Sequence, residues 1–121
     1  MVEVKFYDSI DDKFLKFAVI ISKTNGKWIF CKHKERDTYE VPGGHRESGE
    51  DILATAKREL MEETGAIDFT IKPICAYSVK GQTNMMENIN DETFGMLFFA
   101  EVFSFQEIHS EIEKILITDN L

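Results

Sequence analysis

Between Pro42-Gly43-Gly44 and Gly65 the chain carries one stretch of helical pattern, with β-rich runs on both sides of it. No other feature limits the fold as much. Ser48-Gly49-Glu50-Asp51 is expected to open the helix, because Ser48 and Asp51 have capping-box spacing. The helix should run to about Thr64 and stop at Gly65, which tolerates the left-handed backbone of a C-terminal cap. Leu53, Ala56 and Leu60 supply an apolar stripe at helical spacing.

Upstream, Lys16–Ser22 is a β-branched run closed by the turn signal Thr24-Asn25-Gly26, and Lys27–Lys32 follows at hairpin distance. The two are expected to be antiparallel strands. Downstream, 69–78 and 93–105 read as strands, with a polar loop over 79–92 that contains Met85-Met86. Ser110–Ile117 fits helix or strand equally well. Strands around one long helix predict an α+β domain with a mixed sheet. At 121 residues the chain has the length of one domain, so residues 1–121 are expected to form a single unit.

Composition excludes several classes. The longest apolar runs, Phe17–Ile21 and Met96–Ala100, fall far short of the roughly 20 residues of a membrane-spanning helix. The first residues lack the apolar centre of a secretory leader. A cytoplasmic protein with no membrane association is the expectation. Fourteen bases against 22 acids give a net charge of −8, which disfavours non-specific binding to nucleic acid. The imbalance is local: residues 1–80 hold 13 bases and 14 acids, whereas 81–121 hold Lys114 and eight acids. Cys31 and Cys75 have no CxxC partner, so both read as small buried hydrophobes rather than zinc ligands. His33, His45 and His109 show no ligand spacing and are assigned no metal.

The helix has a second face. Glu59, Glu62 and Glu63 stand at i, i+3 and i+4, crowding three like charges on one side. Arg58 can pair with Glu62 one turn on, which still leaves an excess of carboxylate. A hard divalent cation resolves it, since Mg²⁺ takes oxygen ligands from carboxylates, water and phosphate.

From Gly44 the chain reads Gly44, five residues, Glu50, seven residues, then Arg58-Glu59-Leu60-Met61-Glu62-Glu63-Thr64-Gly65-Ala66. This resembles the Nudix box, G-x5-E-x7-R-E-U-x-E-E-x-G-U, where U is a bulky aliphatic residue. All its fixed positions match over residues 44–66; Leu60 fits the first U, and Ala66 is small for the last. The Val41-Pro42-Gly43-Gly44 lead-in and the preceding hairpin extend the likeness to the Nudix hydrolases. Within them, size and general pattern are most similar to the MutT-like nucleoside triphosphate pyrophosphohydrolases. The chain ends at Thr118-Asp119-Asn120-Leu121, where many members continue into a further helix.

The resemblance implies an α/β/α sandwich around a mixed sheet, with the box as loop–helix–loop. It implies Mg²⁺ or Mn²⁺ held by Glu59, Glu62 and Glu63, with the Gly43 carbonyl as a further ligand. Arg58 would orient the glutamates, Glu50 would assist from the start of the helix, Glu63 would serve as ligand and Glu62 as ligand or base. Glu111, before the last strand, would supply an additional carboxylate. Arg36 is the best of three upstream cations for meeting phosphate, because its planar fork matches phosphate geometry. Tyr39, Tyr77 or a phenylalanine could stack a base; with ten Phe, most are expected in the core.

The implied activity is hydrolysis of a nucleoside diphosphate linkage. The preferred substrate is a nucleoside triphosphate, oxidised or not, cut to the monophosphate and pyrophosphate. Dinucleoside polyphosphates, nucleotide sugars and RNA 5′ ends are the alternatives within the family. A non-catalytic nucleotide-binding regulator is the alternative outside enzymes, and the intact set of box carboxylates argues against it. The sequence specifies no oligomeric state.

Overall fold

The computed structural model describes residues 3–80, 92–107 and 112–119. In chain order the elements are β1 (Glu3–Tyr7), a 3₁₀ turn at Asp12–Phe14, β2 (Leu15–Thr24), β3 (Lys27–His33), β4 (Gly43–His45), α1 (Ile52–Thr64), β5 (Ala66–Lys80), β6 (Glu92–Phe105) and β7 (Ile112–Thr118). One mixed sheet runs β1-β5-β6-β2-β3-β7, with β4 added against β2. Among the described residues only β2 and β6 pair in parallel; the other strand pairings are antiparallel. The expected α+β fold with a mixed sheet is what forms, and α1 is the sole α-helix among the described residues.

The hairpin forms as its turn residues dictate. Asn25 and Gly26 both take positive φ, 51° and 78°, the backbone of a two-residue turn whose twist matches that of strands. Its pairing is brief, however: β3 meets β2 only at Lys23–Trp28 and Thr24–Lys27. Beyond that β3 leaves β2, and from Trp28 to His33 it pairs with β7. The gap is filled by the Pro-Gly-Gly segment. Pro42 cannot donate a hydrogen bond, yet its carbonyl accepts from Ile20 N at 2.9 Å. Gly43, Gly44 and His45 then pair with Val19, Ala18 and Phe17. The break in the sequence is therefore a wedge between two diverging strands, and the wedge faces α1.

The helix starts differently from the capping-box expectation. Asp51, not Ser48, is the N-cap, its carboxylate accepting from Ala54 N at 2.8 Å. Asp12 from the 3₁₀ turn accepts from Ile52 N at 2.9 Å, so a distant residue satisfies a second helix-end donor. Gly65 does end the helix, at φ 79°, with its N–H on the Met61 carbonyl. Ile52, Ala56 and Leu60 are the buried apolar stripe, joined to Ile20, Ile29 and Phe98 from the sheet. Leu53 is exposed, because one residue past Ile52 is about 100° round the helix. Burying each large aliphatic or aromatic core side chain contributes about 1.5–3 kcal/mol.

Other expectations shift at their edges. The strand expected over 69–78 begins at Ala66, and Val79, Lys80 and Glu92 belong to β5 and β6 rather than to a loop. The rest of that expected loop, with Met85 and Met86, lies outside the described residues, as do His109, Ser110 and Glu111. The ambiguous C-terminal segment is a strand over Ile112–Thr118, decided by its ladder to β3. Cys31 is buried but Cys75 only half so, and both are free thiols. Phe98 is the one fully buried phenylalanine among the described residues; Phe6, Phe14 and Phe103 are exposed.

Candidate active site

The α1 face that meets the wedge is not wholly apolar. Glu63 follows Leu60 by three residues, so the same periodicity that buries Leu60 carries Glu63 inward; its side chain is 8% exposed. Glu59 is 12% exposed and Glu62 52%. The three box glutamates thus form a gradient from the interior to the rim.

Glu63 is held at both oxygens. Gly43 N–H donates to Oε1 at 2.7 Å, and His33 Nε2 lies 3.2 Å from Oε2. Gly44 is required beside Glu59: a Cβ there would stand 2.5 Å from the Glu59 carboxyl carbon. On either side of β4, Pro42 O accepts from Ile20 N and Arg46 N donates to Lys16 O, two residues from the central Gly44–Ala18 pair. Ladder alternation therefore turns the N–H and C=O of Gly43 and His45 away from β2. Two bonds confirm it, from Gly43 N to Glu63 and from Arg58 Nη2 to His45 O at 2.9 Å. The Gly43 carbonyl accordingly lies on the edge where Glu63 stands.

Arg58 is the hub of the acidic face. Its Nε donates to Glu50 Oε2 at 2.6 Å and its Nη1 to Glu59 Oε1 at 2.6 Å. The expected Arg58–Glu62 pair is present but longer, at 3.5 Å, and Glu47 stands 3.4 Å away. Glu50 also accepts from Thr55 Oγ1 and from Glu47 N, both at 2.9 Å. The Arg58 hydrogen bond, with these two, holds the Glu50 carboxyl down at about 2. Glu59 moves the other way. Burial pushes its carboxyl up, the neighbouring Glu62 and Glu47 add to that, and Arg58 opposes it.

A cavity of about 640 Å³ opens in front of the wedge, with Glu59, Glu63, Gly43 and Gly44 in its wall. That size suits a drug-sized or nucleotide-sized ligand. Arg36 lines it too, its Nη1 donating to both Glu40 carboxylate oxygens at 2.9 and 2.7 Å. Of the aromatic candidates Tyr77 and Phe17 line the cavity, while Tyr39 is exposed and does not. Burial pushes the Tyr77 hydroxyl up, so it stays a neutral phenol. Val79 and Thr93 complete the wall on the β5–β6 side. Glu111 lies outside the described residues.

These donors suit a hard divalent cation. Glu59, Glu63 and Gly43 line the same cavity, and their carboxylates and carbonyl are all oxygen donors. Burial first, and the nearby Glu62 and Glu47 after it, raise the Glu59 carboxyl, and a bound cation would favour its charged form.

One grouping is not evident from the sequence alone. Cys31, His33 and Glu63 place their ligand atoms within 4.8 Å of one another. Cys-x-His at period two was the available signal, since it sets both side chains on one face of β3. Only the tertiary fold adds Glu63 to them.

The NUDIX domain family matches residues 13–115, and the chain belongs to it. The chain is 34% identical over 85 residues to YtkD of Bacillus subtilis (strain 168), which carries a provisional designation as an 8-oxo-dGTP diphosphatase. That match covers 70% of this chain and 53% of YtkD. Nucleoside diphosphate-linked moiety X motif 6 of Xenopus laevis is 38% identical over 50 residues, 40% of this chain and 23% of that protein. The chain thus spans about half the length, or less, of these curated relatives. Among solved structures, the Bacillus subtilis pyrophosphohydrolase BsRppH superposes with a TM-score of 0.81 at 26% identity. The superposition covers 99% of this chain and 72% of that one.

Proposed function

We propose that the protein is a Mg²⁺- or Mn²⁺-dependent hydrolase of nucleoside diphosphate linkages, acting in the cytoplasm as one catalytic unit. The preferred substrate is a nucleoside triphosphate, oxidised or not, cut to the monophosphate and pyrophosphate. The observation that carries this reading is the pair of inward carboxylates, Glu59 and Glu63, in the wall of a nucleotide-sized cavity. The diphosphatase designation of YtkD and the pyrophosphohydrolase BsRppH support it.

Bound divalent cations supply charge neutralisation on the phosphates and a more acidic water. The chain's own residues do the rest. Glu59, Glu63 and the Gly43 carbonyl hold the cation, with Glu63 fixed by Gly43 N–H. Glu62, at the exposed rim, is a further ligand or accepts the proton from the attacking water. Arg58 and Glu50 keep Glu59 aimed. Arg36, in the wall of the same cavity, meets phosphate, and Tyr77 offers a face for the base.

Gly44→Ala tests the aim of Glu59. The added methyl must displace a carboxylate that Arg58 holds at 2.6 Å. Turnover is expected to fall roughly tenfold or more, as when a metal ligand loses its orientation, with little change in the unfolding midpoint. Steady-state kinetics beside a thermal melt checks both.

The substrate is tested with a nucleotide panel containing ordinary and 8-oxo-dGTP, a dinucleoside polyphosphate and ADP-ribose, each with and without Mg²⁺. Pyrophosphate released from a triphosphate only with Mg²⁺ is the expected result. Cleavage of another member instead would keep the mechanism and replace the substrate. Tight binding without cleavage would make the protein a nucleotide-binding regulator.

A further inference from the structure

We propose that Cys31, His33 and Glu63 form a second cation site, selective for a thiophilic divalent ion such as Zn²⁺, which shares Glu63 with the proposed catalytic site and so inhibits it. The inhibitory consequence rests on the hydrolase reading; the site itself does not.

Two of the three ligands come from β3. Cys31 and His33 are two residues apart, so both side chains leave the strand on the face toward α1. Glu63 comes to them from the buried side of α1, its Oε2 3.2 Å from His33 Nε2. All three ligand atoms lie within 4.8 Å of one another. Sulfur, imidazole nitrogen and carboxylate oxygen are the donor types zinc takes, and three protein ligands leave one position for water. The same set is poor for Mg²⁺, which asks for oxygen alone.

The surroundings are built for order. Cys31 Sγ donates to the Glu40 carbonyl at 3.4 Å, within the Cys31–Glu40 bridge that closes the loop between β3 and β4. Glu63 Oε1 is anchored by Gly43 N–H. His33 and Glu63 line the cavity, which provides an entry path, while Cys31 lies buried behind them. On binding, the thiol proton leaves to solvent and the sulfur lone pair goes to the cation. A carboxylate oxygen committed there is lost to the oxygen-only site next to it.

Cobalt(II) titration of the full chain carrying Cys75→Ser, which leaves Cys31 as the sole thiol, tests the site without any activity. The expected result is a sulfur-to-cobalt charge-transfer band in the near ultraviolet that saturates at one ion per chain and is displaced by Zn²⁺. Adding Cys31→Ser should abolish the band, and adding His33→Ala should weaken binding by roughly 10- to 100-fold. Absence of the band in the Cys75→Ser chain, or its survival after Cys31→Ser, overturns the proposal. In parallel, Zn²⁺ should suppress Mg²⁺-supported turnover in the wild type and much less in Cys31→Ser; equal suppression in both removes the inhibitory role. A cobalt band in a protein that cleaves no nucleotide would leave this site standing and remove the hydrolase reading. Full hydrolysis without the band would do the reverse.

Discussion

Glu63→Gln is expected to lower turnover of the preferred nucleotide by roughly 10²- to 10⁴-fold, the range lost with a group that takes part in proton transfer or charge stabilisation. Glutamine keeps the shape and one oxygen, so the Gly43 N–H retains an acceptor at the position now bonded at 2.7 Å. What disappears is the negative charge. That charge is expensive to keep where the side chain is 8% exposed. The unfolding midpoint should therefore stay the same or rise while activity collapses, which separates a functional residue from a structural one. Glu62→Gln should also cost turnover, with no change in stability because its side chain is half in water. Kinetics and thermal melts on both variants decide the matter. Full activity in the two together would show that the acidic face holds no catalytic cation.

Arg58→Met carries the second large effect, on stability and activity together. One guanidinium contacts Glu50, Glu59, Glu62 and Glu47 and also donates to the His45 carbonyl. Without it four carboxylates face one another across the start and middle of α1, and Glu59 loses the contact that aims it. The pH dependence has a definite sign. Glu50 titrates at about 2 when folded against an ordinary 4.5, so folding favours its ionised form. That contribution is whole above pH 4.5 and is lost as pH falls toward 2. The midpoint difference between wild type and Arg58→Met should accordingly be large at pH 7 and shrink near pH 2. An equal difference at both values would mean that Arg58 acts through packing of its stem and not through Glu50.

Much of this molecule is legible in its sequence because the relevant physics is local. Helical spacing put Glu59, Glu62 and Glu63 on one face, Gly65 marked the stop, and Asn25-Gly26 marked the turn. Each depends on residues within a few positions. The box spacing itself reports a loop, a helix and a close approach at Gly44, and the structure explains that glycine by the Glu59 carboxylate packed against it. Chain-local reading failed where a distant residue competes. Asp12 reached the helix start and Asp51 took the cap, so Ser48 had no role there. Ser110–Ile117 was undecided until β3 offered it a ladder. Leu53 and Leu60 look alike as letters, and only the direction of the sheet separates them.

By itself, then, the amino-acid sequence determined the helix, its acidic face and the family to which the chain belongs, since spacing along one helix dictates which side chains meet. The tertiary structure alone decided how the three glutamates divide between interior and rim, because burial depends on what packs opposite. It also decided that the wedge between β2 and β3 supplies the Gly43 N–H to Glu63, and that Cys31 and His33 stand beside that same carboxylate. Those contacts join strands and helix far apart in the chain, and no local periodicity encodes them.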